Sequence, residues 1–331
     1  MPLDRILRNL ITWQRVDGPP VPLRELSVAQ ARERYRANAI GAPGAGPGSG
    51  PERAVTSVDC GVDTADGSSF RVRVYTPASD EGRVVTFLHG GGWVVGDIDT
   101  HDAVCRTIAA GLGAVVVSAD YRRAPEHPYP TPLLDAVAAA RWTGRSFPGR
   151  AHVIAGESAG AHLAVGVAME ARDAGDLDLA AQLLLYPPAD PSLRFAATSA
   201  HAEGYLLSVD DLAWYYDLYV PDPARRGDPA LHLLRADLRR LPPTVVGTAE
   251  FDPLHDEGAE LADKLAVTDV SVRHVPGPGL VHGYFLLQHV VPAAAAGARR
   301  VLREVDAVLR EAGEGAGAGS VETYAGAVRG R

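Results

Sequence analysis

Gly156-Glu157-Ser158-Ala159-Gly160 sets a serine between two glycines, directly after the apolar run Val153-Ile154-Ala155 and before a stretch of small residues. A serine becomes a nucleophile when a strained strand-to-helix turn projects its Oγ and a base stands ready for its proton. Glycines on either side let strand and helix approach without a Cβ clash. The helix start adds a backbone N–H and a favourable dipole near a developing anion. Taken alone, the pentapeptide reads more readily as an ordinary turn serine in a glycine-rich chain. Partner motifs decide between the two readings.

The first partner is the apolar run Val84–Leu88, which leads into His89-Gly90-Gly91-Gly92-Trp93. Glycines expose backbone N–H groups where no side chain blocks a ligand, as an oxyanion hole for acyl transfer requires. A phosphate loop is the competing reading, but no Lys-Ser/Thr follows the glycines, so a Walker A motif is excluded. His89 is read as a loop anchor rather than a base.

Downstream, the apolar run Thr244–Thr248 ends in Ala249-Glu250-Phe251-Asp252-Pro253-Leu254, which puts Asp252 at the C-terminal end of a strand. Sites of parallel sheets gather there. Another run, Val270–Val275, precedes Gly277-Pro278-Gly279-Leu280-Val281-His282, with His282 expected in a loop. The chain order serine, aspartate, histidine matches one known arrangement of this chemistry. His282 would take the serine proton and return it to the leaving alkoxide, while Asp252 orients the imidazole. His255, His274 and His289 lie in the same region and compete for the part of base. Asp256 and Glu257 read as the charged first turn of a helix. No His/Cys/Asp spacing suggests a metal site.

Elements to carry these residues are legible. Phe70, Val72 and Val74 alternate with polar residues, as in a half-exposed strand. Val84–Leu88, Ala114–Ser118, Val153–Ala155, Leu183–Tyr186 and Thr244–Thr248 are short, mainly apolar runs that suit strands buried on both faces. Helical stretches such as Pro132–Thr143 and Ala159–Ala171 separate them. The alternation predicts an α/β fold, a mainly parallel eight-stranded sheet flanked by helices. Phe195–Leu241 breaks the rhythm with the cluster Trp214, Tyr215, Tyr216 and Tyr219 and several prolines. It reads as an insertion over the sheet, joined by the N-terminal helices. One domain is expected, with a helical cap from residues 1–45 and 195–241, a core from 55–194 and 242–310, and a frayed tail over 311–331. The Gly/Pro-rich stretch 41–51 reads as a linker.

Composition narrows the partners. The net charge of -9 argues against nucleic acid and against an anionic membrane surface. No run is long enough to span a membrane. Leu3, Ile6, Leu7, Leu10 and Ile11 share one helix face, which docks either on the protein's own body or on a membrane surface. Arg5 and Arg8 are followed by no apolar run of the kind a signal peptide carries. Two cysteines, Cys60 and Cys105, make no disulfide framework, so a reducing, cytoplasmic setting is expected.

Together the motifs make a resemblance specific. His89-Gly90-Gly91-Gly92-Trp93, Asp120-Tyr121-Arg122-Arg123-Ala124-Pro125-Glu126, Gly156–Gly160, Asp252–Gly258 and His282-Gly283-Tyr284 stand in one order over Val84–Leu287. In this the chain resembles the hormone-sensitive-lipase family of bacterial esterases, which have the α/β-hydrolase fold. The resemblance implies a triad of Ser158, Asp252 and His282. It also implies an oxyanion hole from the N–H groups of Gly91, Gly92 and Ala159, and a cap over the acyl pocket. Trp93, Trp214 and Tyr215 are candidates for substrate contact. The family usually has Asp at Glu157, an apolar residue at Arg123 and Arg at His255.

The expected activity is hydrolysis of small to medium carboxylic esters through a serine acyl-enzyme, with no cofactor and no metal, in a monomer or homodimer. An acetyl ester of a larger metabolite is one candidate substrate. An elimination on the same fold, and a ligand receptor that has lost turnover, are the alternatives.

Overall fold

The computed structural model describes residues 1–13, 16, 18, 20–40 and 51–319. Residues 41–50 of the expected linker and the end of the expected tail, 320–331, lie outside them. Eight strands form one sheet in the order β1-β2-β4-β3-β5-β6-β7-β8. They are β1 (Thr56–Asp63), β2 (Ser69–Thr76), β3 (Arg83–Leu88), β4 (Ala114–Ala119), β5 (Ala151–Glu157), β6 (Ala181–Leu185), β7 (Thr244–Phe251) and β8 (Val272–Val281). β1 and β2 run antiparallel at one edge, and from β4 to β8 every pairing is parallel. This is the α/β-hydrolase architecture that the alternating runs predict.

The apolar runs are continuous because both faces of the sheet are covered. In β3, Val84 and Leu88 point to one core and Val85 and Phe87 to the other. In β5, Ile154 faces the first core, and Val153 and Ala155 the second. Helices α4 (Thr131–Ser146), α5 (Ala159–Ala174) and α8 (His255–Val267) close the first face. Helices α3 (Asp102–Leu112) and α9 (Pro292–Gly319) close the second. Cys105 is buried in α3, and α9 continues into the stretch expected as a frayed tail.

Of the N-terminal segments, α1 (Arg5–Trp13) buries Leu7 in the second core and lays Leu3, Ile6, Leu10 and Ile11 beside it. The Asp4 N–H donates to the Gly279 carbonyl (3.0 Å), and the terminal ammonium meets Glu250 (2.6 Å). The apolar face of α1 is therefore spent on the protein itself. Helix α2 (Val28–Ile40) and helix α7 (Val209–Tyr219) both bury residues in the first core. Ser208 and Asp211 start α7 with a capping box. Among the described residues no helix is long and apolar enough to cross a membrane.

Two sequence expectations change. β8 runs through Gly277-Pro278-Gly279 to Val281, a stretch read as loop, because it pairs with β7 beyond an irregularity at Ala249–Phe251. Glu257 is not a solvated first-turn charge. It is fully buried, with Oε1 accepting from the Ala189 N–H at 2.9 Å. Burial pushes its carboxyl well above the usual range, and that cost outweighs the backbone hydrogen bonds from Ala189 and Asp190 that favour the anion.

An acid whose folded-state pKa is raised holds its proton where the unfolded chain has lost it, so it lowers stability as pH rises above the ordinary carboxylate range. Glu257→Gln removes that dependence. Thermal melts should show the variant gaining on the parent from about pH 4 to about pH 8. A difference in melting temperature that stays constant over this interval contradicts the assignment.

Candidate active site

Each candidate side chain leaves the C-terminal edge of the sheet. In β5 the last residue, Glu157, pairs with Leu185 of β6, and the Ser158 N–H donates to the Leu185 carbonyl (2.8 Å). The chain then turns at once into α5. Ser158 takes φ +50° and ψ −122°, a strained conformation for a residue with a Cβ. Close backbone approach requires both flanking glycines. A Cβ on Gly160 would lie 1.9 Å from the Leu88 carbonyl oxygen, and one on Gly156 would lie 2.2 Å from the Gly160 oxygen.

Asp252 and His282 meet because their strands do. Phe251 of β7 is opposite Val281 of β8, so the next residue on each strand is placed side by side. His282 Nδ1 lies 2.7 Å from Asp252 Oδ2, and His282 Nε2 lies 3.0 Å from Ser158 Oγ. Asp252 is fully buried, and its Oδ1 accepts from the Leu254 N–H at 2.8 Å. With Nδ1–H donated to the carboxylate, Nε2 presents its lone pair to the serine hydroxyl. The ring of Tyr186 stands edge-on against His282 at 4.8 Å.

The competing histidines are occupied elsewhere. His255 Nδ1 is bonded to the Ala249 carbonyl (2.8 Å) and His274 Nε2 to Thr248 Oγ1 (2.9 Å). His289 lines a surface cleft with Arg73 and Asp99. His89 is fully buried, stacked 4.1 Å from the Tyr121 ring, and Nδ1 donates to the Gly90 carbonyl. Burial, then the neighbouring His101, push its pKa well down, so it stays neutral. It holds the glycine loop, and Tyr121 OH donates to its carbonyl at 2.8 Å.

That loop turns through Gly91 (φ +109°), Gly92 (φ +58°) and Trp93 (φ +61°). The N–H groups of Val94 and Val95 donate back to the Gly91 carbonyl (3.1 and 2.9 Å). Within the described residues no acceptor takes the N–H of Gly91, Gly92 or Ala159. Trp93, a candidate substrate contact, is buried and stacked on Tyr219 (4.4 Å), with Tyr216 beside it. Its role is to root the loop in the core. Tyr215 does reach the loop, for a Cβ on Gly92 would lie 2.1 Å from its ring. Trp214 packs against the Tyr215 ring at 5.3 Å.

Sequence reasoning passed over two supports. Arg32, on α2, donates to the carbonyls of Val94 and Ala124 (both 2.9 Å) and pairs with Glu126. One surface arginine among many gives no signal of this. Tyr186 could have been noticed as the residue ending an apolar run at the productive edge of the sheet.

The profile of the alpha/beta hydrolase fold family matches residues 85–286. The carboxylesterase NlhH of Mycobacterium tuberculosis is 41% identical over 250 residues, 72% of this chain and 78% of its own. This chain belongs to the hormone-sensitive-lipase-like esterases of the α/β-hydrolase fold. The ethyl acetate hydrolase of Pseudomonas putida is 32% identical over 302 residues, 87% of this chain and 93% of its own. Among solved structures, the hyperthermophilic esterase of Pyrobaculum calidifontis superposes with a TM-score of 0.85 at 32% identity, over 93% of this chain and 99% of that one. These relatives are esterases, which favours neither an elimination nor a ligand receptor.

The contact between Gly92 and Tyr215 predicts a measurable coupling. Gly92→Ala should destabilise the protein through its collision with the ring. The cost should shrink by about 1 kcal/mol or more in a Tyr215→Ala background, as neighbours that share a contact are non-additive. Additive losses in denaturant melts would show that the two do not touch.

Proposed function

We propose that Ser158, His282 and Asp252 act as nucleophile, general base and orienting carboxylate in the hydrolysis of carboxylic esters. The observation that carries the reading is the unbroken chain from Ser158 Oγ to His282 Nε2 (3.0 Å) and from Nδ1 to Asp252 Oδ2 (2.7 Å). The Ser158 Oγ–H gives its proton to Nε2 as Oγ attacks the ester carbonyl carbon. The carbonyl oxygen becomes an oxyanion and receives the N–H groups of Gly91, Gly92 and Ala159. Collapse breaks the C–O bond, and the imidazolium protonates the departing alkoxide. Water, deprotonated by the same imidazole, then attacks the acyl-Ser158 ester and frees the acid. Asp252 orients the imidazole and stabilises the imidazolium.

Substrates in this reading are small to medium acyl esters, including acetyl esters of larger metabolites. The name of one relative, ethyl acetate hydrolase, supports a short acyl side. Tyr215 and Trp214 support it too, because aromatic bulk against the glycine loop limits room there. The cap assigned to residues 1–45 and 195–241 finds support in the way α2 and α7 bury residues in the core that holds Trp93. A monomer or homodimer acting in the cytoplasm completes the reading, which the free thiols Cys60 and Cys105 suit.

Turnover of p-nitrophenyl acetate and butyrate by Ser158→Ala should fall by at least about 10⁴-fold, and by Asp252→Asn to a similar degree. Undiminished hydrolysis by purified Ser158→Ala would remove the serine from the mechanism.

A further inference from the structure

Behind the glycine loop lies a buried polar group that the mechanism above does not use. His101 opens α3 and is fully buried, and Glu157 beside it is 2% exposed. His101 Nδ1 faces Thr100 Oγ1 at 2.9 Å. The Thr100 hydroxyl hydrogen is already given to the Asp97 carbonyl (2.8 Å), so Nδ1 carries the ring hydrogen and Nε2 presents a lone pair. The Gly90 N–H points at that Nε2 from 3.2 Å. Gly90 immediately precedes Gly91 and Gly92.

Glu157 closes the arrangement from the other side. Its Oε1 lies 3.2 Å from the same Nε2, a hydrogen bond when the carboxyl group supplies the proton, since a proton on Nε2 would displace the Gly90 N–H. Its Oε2 accepts from Tyr186 OH at 2.9 Å, and the Tyr186 ring is the one standing against His282. The side chain reaches only because residue 90 has no Cβ, which would lie 2.9 Å from Oε1. One carboxyl group, on the residue before Ser158, therefore ties the root of the glycine loop to the ring that backs His282.

We propose that His101 and Glu157 are positioning residues that fix the Gly90 peptide, and through it the amides of Gly91 and Gly92, at the distance from Ser158 that the oxyanion needs. The inference rests on the serine-hydrolase reading above. Neither residue touches substrate. Their effect appears where charge develops, so it falls on kcat rather than on ground-state binding. The length of Glu157 follows from it. An aspartate, one methylene shorter, keeps the carboxyl group but draws it back from both His101 and Tyr186.

The test uses two conservative variants and one restoring variant. His101→Asn keeps an amide where Nδ1 meets Thr100 but is too short to reach Gly90. His101→Gln can set an oxygen near the place of Nε2. Glu157→Asp shortens the bridge. For p-nitrophenyl acetate, His101→Asn and Glu157→Asp should each lower kcat about 10- to 100-fold, with KM changed by less than about 3-fold. The affinity for a trifluoromethyl ketone, whose serine adduct carries the oxyanion, should fall by the same factor as kcat/KM. His101→Gln should regain most of both. Circular dichroism melts separate these effects from unfolding, and a purely structural role would lower melting temperature while leaving kcat of the folded protein intact. Wild-type kcat in folded His101→Asn and Glu157→Asp, or a loss confined to KM, overturns the proposal. If Ser158→Ala, assayed in parallel, still hydrolyses the ester, it is the underlying reading that fails.

Discussion

The site depends on how closely two backbones approach. At the start of α5 the Gly160 backbone passes so near the end of β3 that a methyl group there would sit 1.9 Å from the Leu88 oxygen. Strand β5 lies beside β3 with Gly156 opposite Leu88. This contact fixes the nucleophile turn against the strand from which the glycine loop departs. Ser158 and the amides of Gly91 and Gly92 thus come from segments that cannot separate without breaking the sheet. The positive φ of Ser158 persists because the strand before it and the helix after it both hold the turn.

A second constraint is strand pairing at the sheet's other end. The β7–β8 ladder shifts register between Ala249 and Phe251 and then resumes with Phe251 opposite Val281. The shift lets residues thirty apart in the chain end their strands at one level, where imidazole and carboxylate meet at 2.7 Å. Without it the register that sets Ala249 opposite Gly277 would put Asp252 level with Leu280, short of His282. Irregular strand ends near active sites commonly serve to aim side chains in this way.

Polar groups under the site show what burial costs and what it specifies. His89 is kept neutral by burial and stacked on Tyr121, and it works through hydrogen bonds to the loop rather than through its charge. Burial favours the protonated form of Glu257 in the core, beside the Ala189 amide. Arg32 reaches from α2 to the carbonyls of Val94 and Ala124, so a helix outside the sheet braces the turn that follows the glycines. Buried hydrogen-bonded groups of this kind lose stability when a partner is removed, and for that reason they specify one geometry.

The sequence determined the sheet, its helices and the order of the reactive residues. Mainly apolar runs bounded by glycine and polar residues mark β3 to β7, because strands covered on both faces are near-continuously apolar. Gly156–Gly160 and the glycines after His89 were legible because close backbone approach and free amides exclude side chains. The sequence could not choose His282 from its neighbours by type, as His255 and His274 are equally able bases until their ring nitrogens are seen to be taken. Nor could it assign Trp93 to the core, Glu257 to the interior or the stretch before His282 to a strand. Those outcomes depend on which residues, far apart in the chain, share a contact. A local pattern records what a backbone can do, while the hydrogen-bond partner of a buried side chain is set only when the tertiary fold brings the other half of the bond within reach.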